Sequence, residues 1–139
     1  MKISVIDGSN YFKGLLLLIR KDDKITEPEI QLMKRIGRSL RFEPEFCDNA
    51  IREILENKFI VDVPPGFSSK DLAIKFIKDG LAIAIADKDI HPSEEEWLRS
   101  TAAKNGLDET WFRLEMDKAI NRKQLPSHME VDDLIVLFS

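Results

Sequence analysis

Asp87-Lys88-Asp89-Ile90-His91-Pro92-Ser93-Glu94 restates, with substitutions, an earlier stretch of the same chain, Asp22-Asp23-Lys24-Ile25-Thr26-Glu27-Pro28-Glu29. One offset, 65 (90 − 25), lays Asp87 on Asp22, Ile90 on Ile25 and Glu94 on Glu29. The same offset runs outward in both directions. Downstream it pairs Leu32 with Trp97, Met33 with Leu98, Phe42 with Leu107, Phe46 with Trp111 and Ile51 with Met116. Upstream it pairs Lys13 with Lys78, Leu16 with Leu81 and Leu18 with Ile83. Few pairs are identical, but apolar character persists at most of them, as expected of one supersecondary unit used twice.

The spacing within each copy is helical. Asn10 to Lys21 reads as a first helix, apolar almost all round from Leu15 to Ile19 and therefore central to the core. Thr26-x-x-Glu29 is a capping box, with Pro28 tolerated in the first turn, and the helix it opens carries Ile30, Met33, Ile36, Gly37 and Leu40 on one stripe. A third helix starts near Pro44 and aligns Phe46, Cys47, Ala50, Ile51, Ile54 and Leu55. Val63-Pro64-Pro65-Gly66 suits neither a helix nor a central strand. Ser68 or Ser69 then caps the counterpart of the first helix. For the fifth helix Ser93-x-x-Glu96 offers one start and His91, by analogy with Thr26, the other; Asn105-Gly106 ends it. Asp108 opens a sixth helix bearing Trp111, Phe112, Met116 and Ile120. The tail reads as a short helix from a Ser127-x-x-Glu130 capping box, with a strand over Leu134 to Phe138 pairing with Lys2 to Ile6 as the alternative.

The expectation is one all-α domain over 1–139, a helical bundle of six to seven helices built as two pseudo-repeated three-helix halves. The first half covers about 9–57, the linker 58–67, the second half 68–122 and a C-terminal element 125–139.

Bulk properties narrow the function. A net charge of −4 argues against general nucleic-acid binding, which depends on Lys and Arg against phosphate. The single cysteine, Cys47, excludes an internal disulfide and a Cys-cluster metal site, and on its apolar stripe it reads as core. Met1 to Ile6 runs at once into Asp7-Gly8, too short for a secretory h-region, and no apolar stretch reaches a membrane span. A cytoplasmic location is the default.

Chemistry-bearing patterns are sparse. Six scattered glycines form no phosphate loop or dinucleotide fingerprint. His91 and His128 have no Cys or Ser companion at motif spacing; His91 reads as a helix cap. Trp97 and Trp111 read as core, and Lys34, Arg35, Arg38 and Arg41 as a solvated basic face. An EF-hand fails in both copies: with Glu29 at position twelve, positions one and three fall on Leu18 and Arg20; with Glu94 there, they fall on Ile83 and Ile85. What remains is Asp22 and Glu29, repeated as Asp87 and Glu94, with Asp89 a lesser addition because its repeat partner is Lys24. Four such carboxylates hold a hard cation if the halves bring them together; singly, they cap helices and end turns.

A central helix ending in Ala86-Asp87, a turn, and Ile90-x-x-x-Glu94 opening an amphipathic helix resembles the TerB-like family, which includes the tellurite-resistance protein TerB and the N-terminal region of the DjlA co-chaperone. The resemblance spans residues 10 to 120, with Asp22 to Glu29 as the degenerate copy. Asp23 and Lys88 stand where the family usually carries Gly, a departure that bears on any tight metal-binding turn. It implies an all-helical fold and no catalytic constellation. It also implies association with stress-response systems and membrane-associated complexes, and a divalent cation, the only cofactor expected, on Asp22, Glu29, Asp87 and Glu94. The leading expectation is therefore a non-enzymatic interaction or sensing module with a protein partner and no membrane span of its own. A metal-dependent hydrolase using paired carboxylates and a homo-oligomeric assembly domain, a homodimer through Leu134 to Phe138, are the alternatives.

Overall fold

The computed structural model describes residues 1–21, 25–57, 59–86, 89–122 and 124–138. Six α-helices lie among them: α1 Val5–Arg20, α2 Glu27–Ser39, α3 Pro44–Glu56, α4 Lys70–Ile85, α5 Pro92–Lys104 and α6 Glu109–Arg122. A 3-10 turn, Glu130–Asp133, leads into β2 Ile135–Leu137, which pairs in parallel with β1 Lys2–Ser4 at the start of the chain. The protein is all-α apart from this small sheet.

The offset of 65 governs the elements as well as the residues. α1 and α4 are each 16 residues long and start 65 apart (70 − 5). α2 and α5 are each 13 residues long and again start 65 apart (92 − 27). α3 and α6 also begin 65 apart (109 − 44). The local cause is repeated capping. The Ser4 hydroxyl accepts from Asp7 N–H, and the Ser69 hydroxyl accepts from Leu72 N–H at the equivalent place.

α1 and α4 cross at the centre; α2 and α3 flank α1, and α5 and α6 flank α4. The run Leu15 to Ile19 is buried throughout, as its unbroken apolarity requires, and Leu81 to Ile85 matches it. Close crossing depends on small residues. A Cβ on Gly80 would lie 2.7 Å from Leu98 Cδ2, and one on Gly14 would lie 2.9 Å from the Phe76 ring. Trp97 is core, as its repeat position implies, whereas Trp111 is half-buried and Ile120 exposed.

The structure corrects the sequence reading at both ends. α1 begins at Val5, not Asn10, because Ser4 caps it and Gly8 lets Val136 and Phe42 approach. The tail helix expected from Ser127-x-x-Glu130 is replaced by the 3-10 turn, where Asp132 accepts from Met129 N–H at 2.9 Å, followed by the alternative strand. A partner strand about 130 residues away decides that outcome, and local patterns carry no information about it. His91, not Ser93, caps α5.

Candidate functional site

The repeated acidic segment is used first for helix capping. In α2 the Glu29 carboxylate accepts from Thr26 N–H at 3.0 Å while the Thr26 hydroxyl accepts from Glu29 N–H at 3.3 Å. In α5 the buried Glu94 carboxylate accepts from His91 N–H at 3.1 Å, and His91 Nδ1 accepts from Ser93 N–H at 3.1 Å. The Ser93 hydroxyl also donates to Lys21 O at 3.2 Å, joining the start of α5 to the end of α1. Asp89 is exposed; Asp22 and Asp87 lie outside the described residues. Among the described residues no group of three or more His, Cys, Asp or Glu side chains could hold a metal ion. Glu29 and Glu94 offer one carboxylate each, and both already accept backbone hydrogen bonds.

Two buried carboxylates escape a reading of the sequence. Asp79 sits in α4 with 2 % of its surface exposed. Its oxygens accept from Tyr11 Oη–H at 2.6 Å, Glu130 N–H at 2.8 Å and Val131 N–H at 2.9 Å. Asp79 therefore ties α1 to α4 and satisfies the first two free N–H groups of the 3-10 turn. Burial pushes its carboxyl up to about 6 against the opposing pull of those three donors, and the Tyr11 phenol is driven well above its ordinary value. Asp7, in the first turn of α1, accepts from the Ser68 hydroxyl and Ser68 N–H, fixing the linker at the head of α4. The available signal for Asp79 is an acid amid Phe76, Ile77, Gly80 and Leu81 on the most apolar stretch of its helix.

Two concave surfaces stand at repeat-equivalent places, between the first and third helix of each half. The α1–α3 groove encloses about 500 Å³ over Leu17, Ala50, Ile54 and Ile60, with Phe46 at its edge and Lys13, Asn49 and Glu53 exposed on its rim. The α4–α6 cleft encloses about 300 Å³. It is lined by the equivalents of those positions, Lys78, Ala82, Glu115, Lys118 and Ala119, and is closed by Pro126 to Glu130 of the tail.

The remaining candidates have structural duties. Cys47 is buried, which raises its thiol pKa. Arg35, assigned to a solvated basic face, instead binds the tail, with Nη2 2.8 Å from Asp132 Oδ2 and 3.3 Å from Ser127 O. His128 is exposed, and its hydrogen bond to Asp133 raises its pKa. No helix is long and apolar enough to cross a membrane among the described residues. No protein-family model, curated protein or solved structure matches this chain.

Proposed function

We propose that this chain is a non-enzymatic interaction module of the TerB-like kind, which holds an apolar segment of a protein partner in the α1–α3 groove. The observation that supports this reading is the continuity of apolar surface around that groove. Phe138 packs on Phe42 at 5.9 Å between ring centroids, and Phe42 on Phe46 at 5.0 Å. Phe46 leads into the groove, and on either side of Ile60 the linker exposes 92 % of Phe59 and 72 % of Val61. Contiguous exposed apolar surface with a polar rim is characteristic of protein-recognition sites, and an amphipathic helix is the occupant that a groove between two helices accommodates.

The test is selection of a displayed library of amphipathic peptides on the purified protein, followed by the Ala50→Glu variant. That substitution places in the first half the acid that Glu115 already supplies in the second. Selected peptides are expected to bind wild type and to lose at least tenfold in affinity for Ala50→Glu. Failure to enrich any peptide, or equal binding to both proteins, overturns the proposal.

A further inference from the structure

The two grooves differ in a systematic way that packing alone does not explain. On the floor, Leu17 and Ile54 of the first half become Ala82 and Ala119 of the second. Ala50 of the floor becomes Glu115, and beside it Glu53 and Asn57 become Lys118 and Arg122. Removing two branched side chains from a groove between helices forfeits apolar burial. Two of these positions gain a charge and the third reverses sign, which adds desolvation around the resulting hollow without improving the fold. A small floor with a charged rim is the arrangement a polar small-molecule site needs.

The charges of the cleft can be followed one by one. Glu130 is met by Lys75 at 3.4 Å and Lys78 at 3.9 Å, Glu115 by Lys118 at 3.3 Å, and His128 by Asp133 at 3.1 Å. Asp79 is engaged by Tyr11 and by the backbone of the 3-10 turn. Arg122 stands apart: its Nε reaches Gln124 O at 3.3 Å, while its two terminal nitrogens have no acceptor among the described residues. A guanidinium with both terminal nitrogens open is suited to a carboxylate, which it grips through two parallel hydrogen bonds.

We propose that the α4–α6 cleft binds a small organic carboxylate with a short apolar body. Arg122 takes the carboxylate, and the body lies on Leu81, Ala82 and Ala119. The volume, about 300 Å³, lies at the lower end of the usual range for small-molecule sites, roughly 300–1,000 Å³.

The experiment titrates sodium hexanoate, with inorganic phosphate in parallel, into full-length protein carrying labelled alanine methyl groups, read by nuclear magnetic resonance. Saturable shifts at Ala82 and Ala119 are expected, with hexanoate binding more tightly than phosphate. Arg122→Gln should weaken hexanoate at least tenfold, and Ala119→Ile, which refills the floor as in the first half, should do the same. Arg113→Gln, on the same helix but paired with Glu109 outside the cleft, should leave binding unchanged. No saturable shift, equal affinity for phosphate, or unchanged binding in Arg122→Gln overturns the proposal, as does equal weakening in Arg113→Gln. Arg122 is exposed, so its variant carries the test even if Ala119→Ile fails to fold.

Discussion

Asp79 shows how a single carboxylate can hold three parts of a chain together at a cost that varies with pH. Its carboxyl lies at about 6 in the folded protein against an ordinary 3.8, because burial outweighs its three hydrogen bonds. A carboxyl whose folded pKa is the higher one binds protons more readily when folded. Its contribution to stability is complete below the ordinary value and is lost as pH rises through about 6. Asp62 and Asp132 have the opposite sign: burial raises them, but Lys21 and Arg20 for Asp62, and Met129 N–H, Ser39 and Arg35 for Asp132, bring both below the ordinary value. Their stabilisation is therefore lost as pH falls. They are common to wild type and Asp79→Asn, so comparing the two proteins isolates Asp79. Wild type should lose about 2–3 kcal/mol relative to the Asn variant between pH 4 and pH 7, measured as urea unfolding free energies across that range. A difference independent of pH would mean that the carboxyl ionises normally. Neither this role nor that of Asp7 can be read from the sequence. Both acids find their donors more than 50 residues away, where periodicity is silent.

At the scale of elements the caps decide where helices begin, and most of that is written locally. Thr26, Ser69 and the turn at Pro44 announce their helices directly, and the paired lengths of α1 with α4 and α2 with α5 follow from equivalent caps. Ser4 lies ahead of the helix start expected at Asn10, and Gly8 within α1 serves close packing by its small size. The two capping boxes also allow the capping and metal roles of the acids to be separated. Glu94 is buried and Glu29 only half-buried. Glu94→Ala should therefore destabilise by about 1–2 kcal/mol and Glu29→Ala by about 0.5–1 kcal/mol, in thermal or denaturant melts. Adding a chelator to wild type should change neither melt; a chelator-induced loss comparable to that of Glu94→Ala would instead assign these acids to a bound cation. The linker is held by similar local chemistry. The Arg20 guanidinium takes Ile54 O at 2.9 Å, Asn57 O at 3.2 Å and Ile60 O at 2.9 Å, satisfying carbonyls at the end of α3. It also pairs with Asp62, whose carbonyl accepts from Trp97 Nε1 at 3.0 Å. Arg20 thus connects the end of the first half to the fifth helix, a link no sequence spacing reveals.

Across the whole molecule, duplication explains the architecture and the tail completes it. The offset is visible in the sequence because core positions tolerate only apolar exchange. The divergence of the two grooves is visible only once the helices that line them are in place. Leu134 and Val136 point inward and are buried, while Ile135 and Leu137 are about half exposed on the outer face of the two-stranded sheet. That face, beside exposed Val5 and Ile6, is where self-association would occur. If the chain assembles through it, the double variant Ile135→Lys/Leu137→Lys should sediment as a monomer at concentrations where wild type forms dimers, with an unchanged helical circular-dichroism spectrum. Identical sedimentation of the two proteins would exclude this face. Substitution on the exposed face is the cleaner test, because deleting the strand would also remove buried Leu134 and Val136.

The same sheet joins the two ends of the chain. Met1 N–H donates to Asp133 O at 2.9 Å, Ile135 N–H donates to Met1 O at 2.8 Å, and β1 runs parallel to β2 from Lys2 beside Ile135 to Ser4 beside Leu137. A load applied through the two termini therefore pulls parallel strands in opposite directions along their length. Their hydrogen bonds resist in shear, all at once, and cannot open one after another. When the chain is tethered at both ends, this six-residue ladder is a mechanical clasp that must slip before tension reaches the helices.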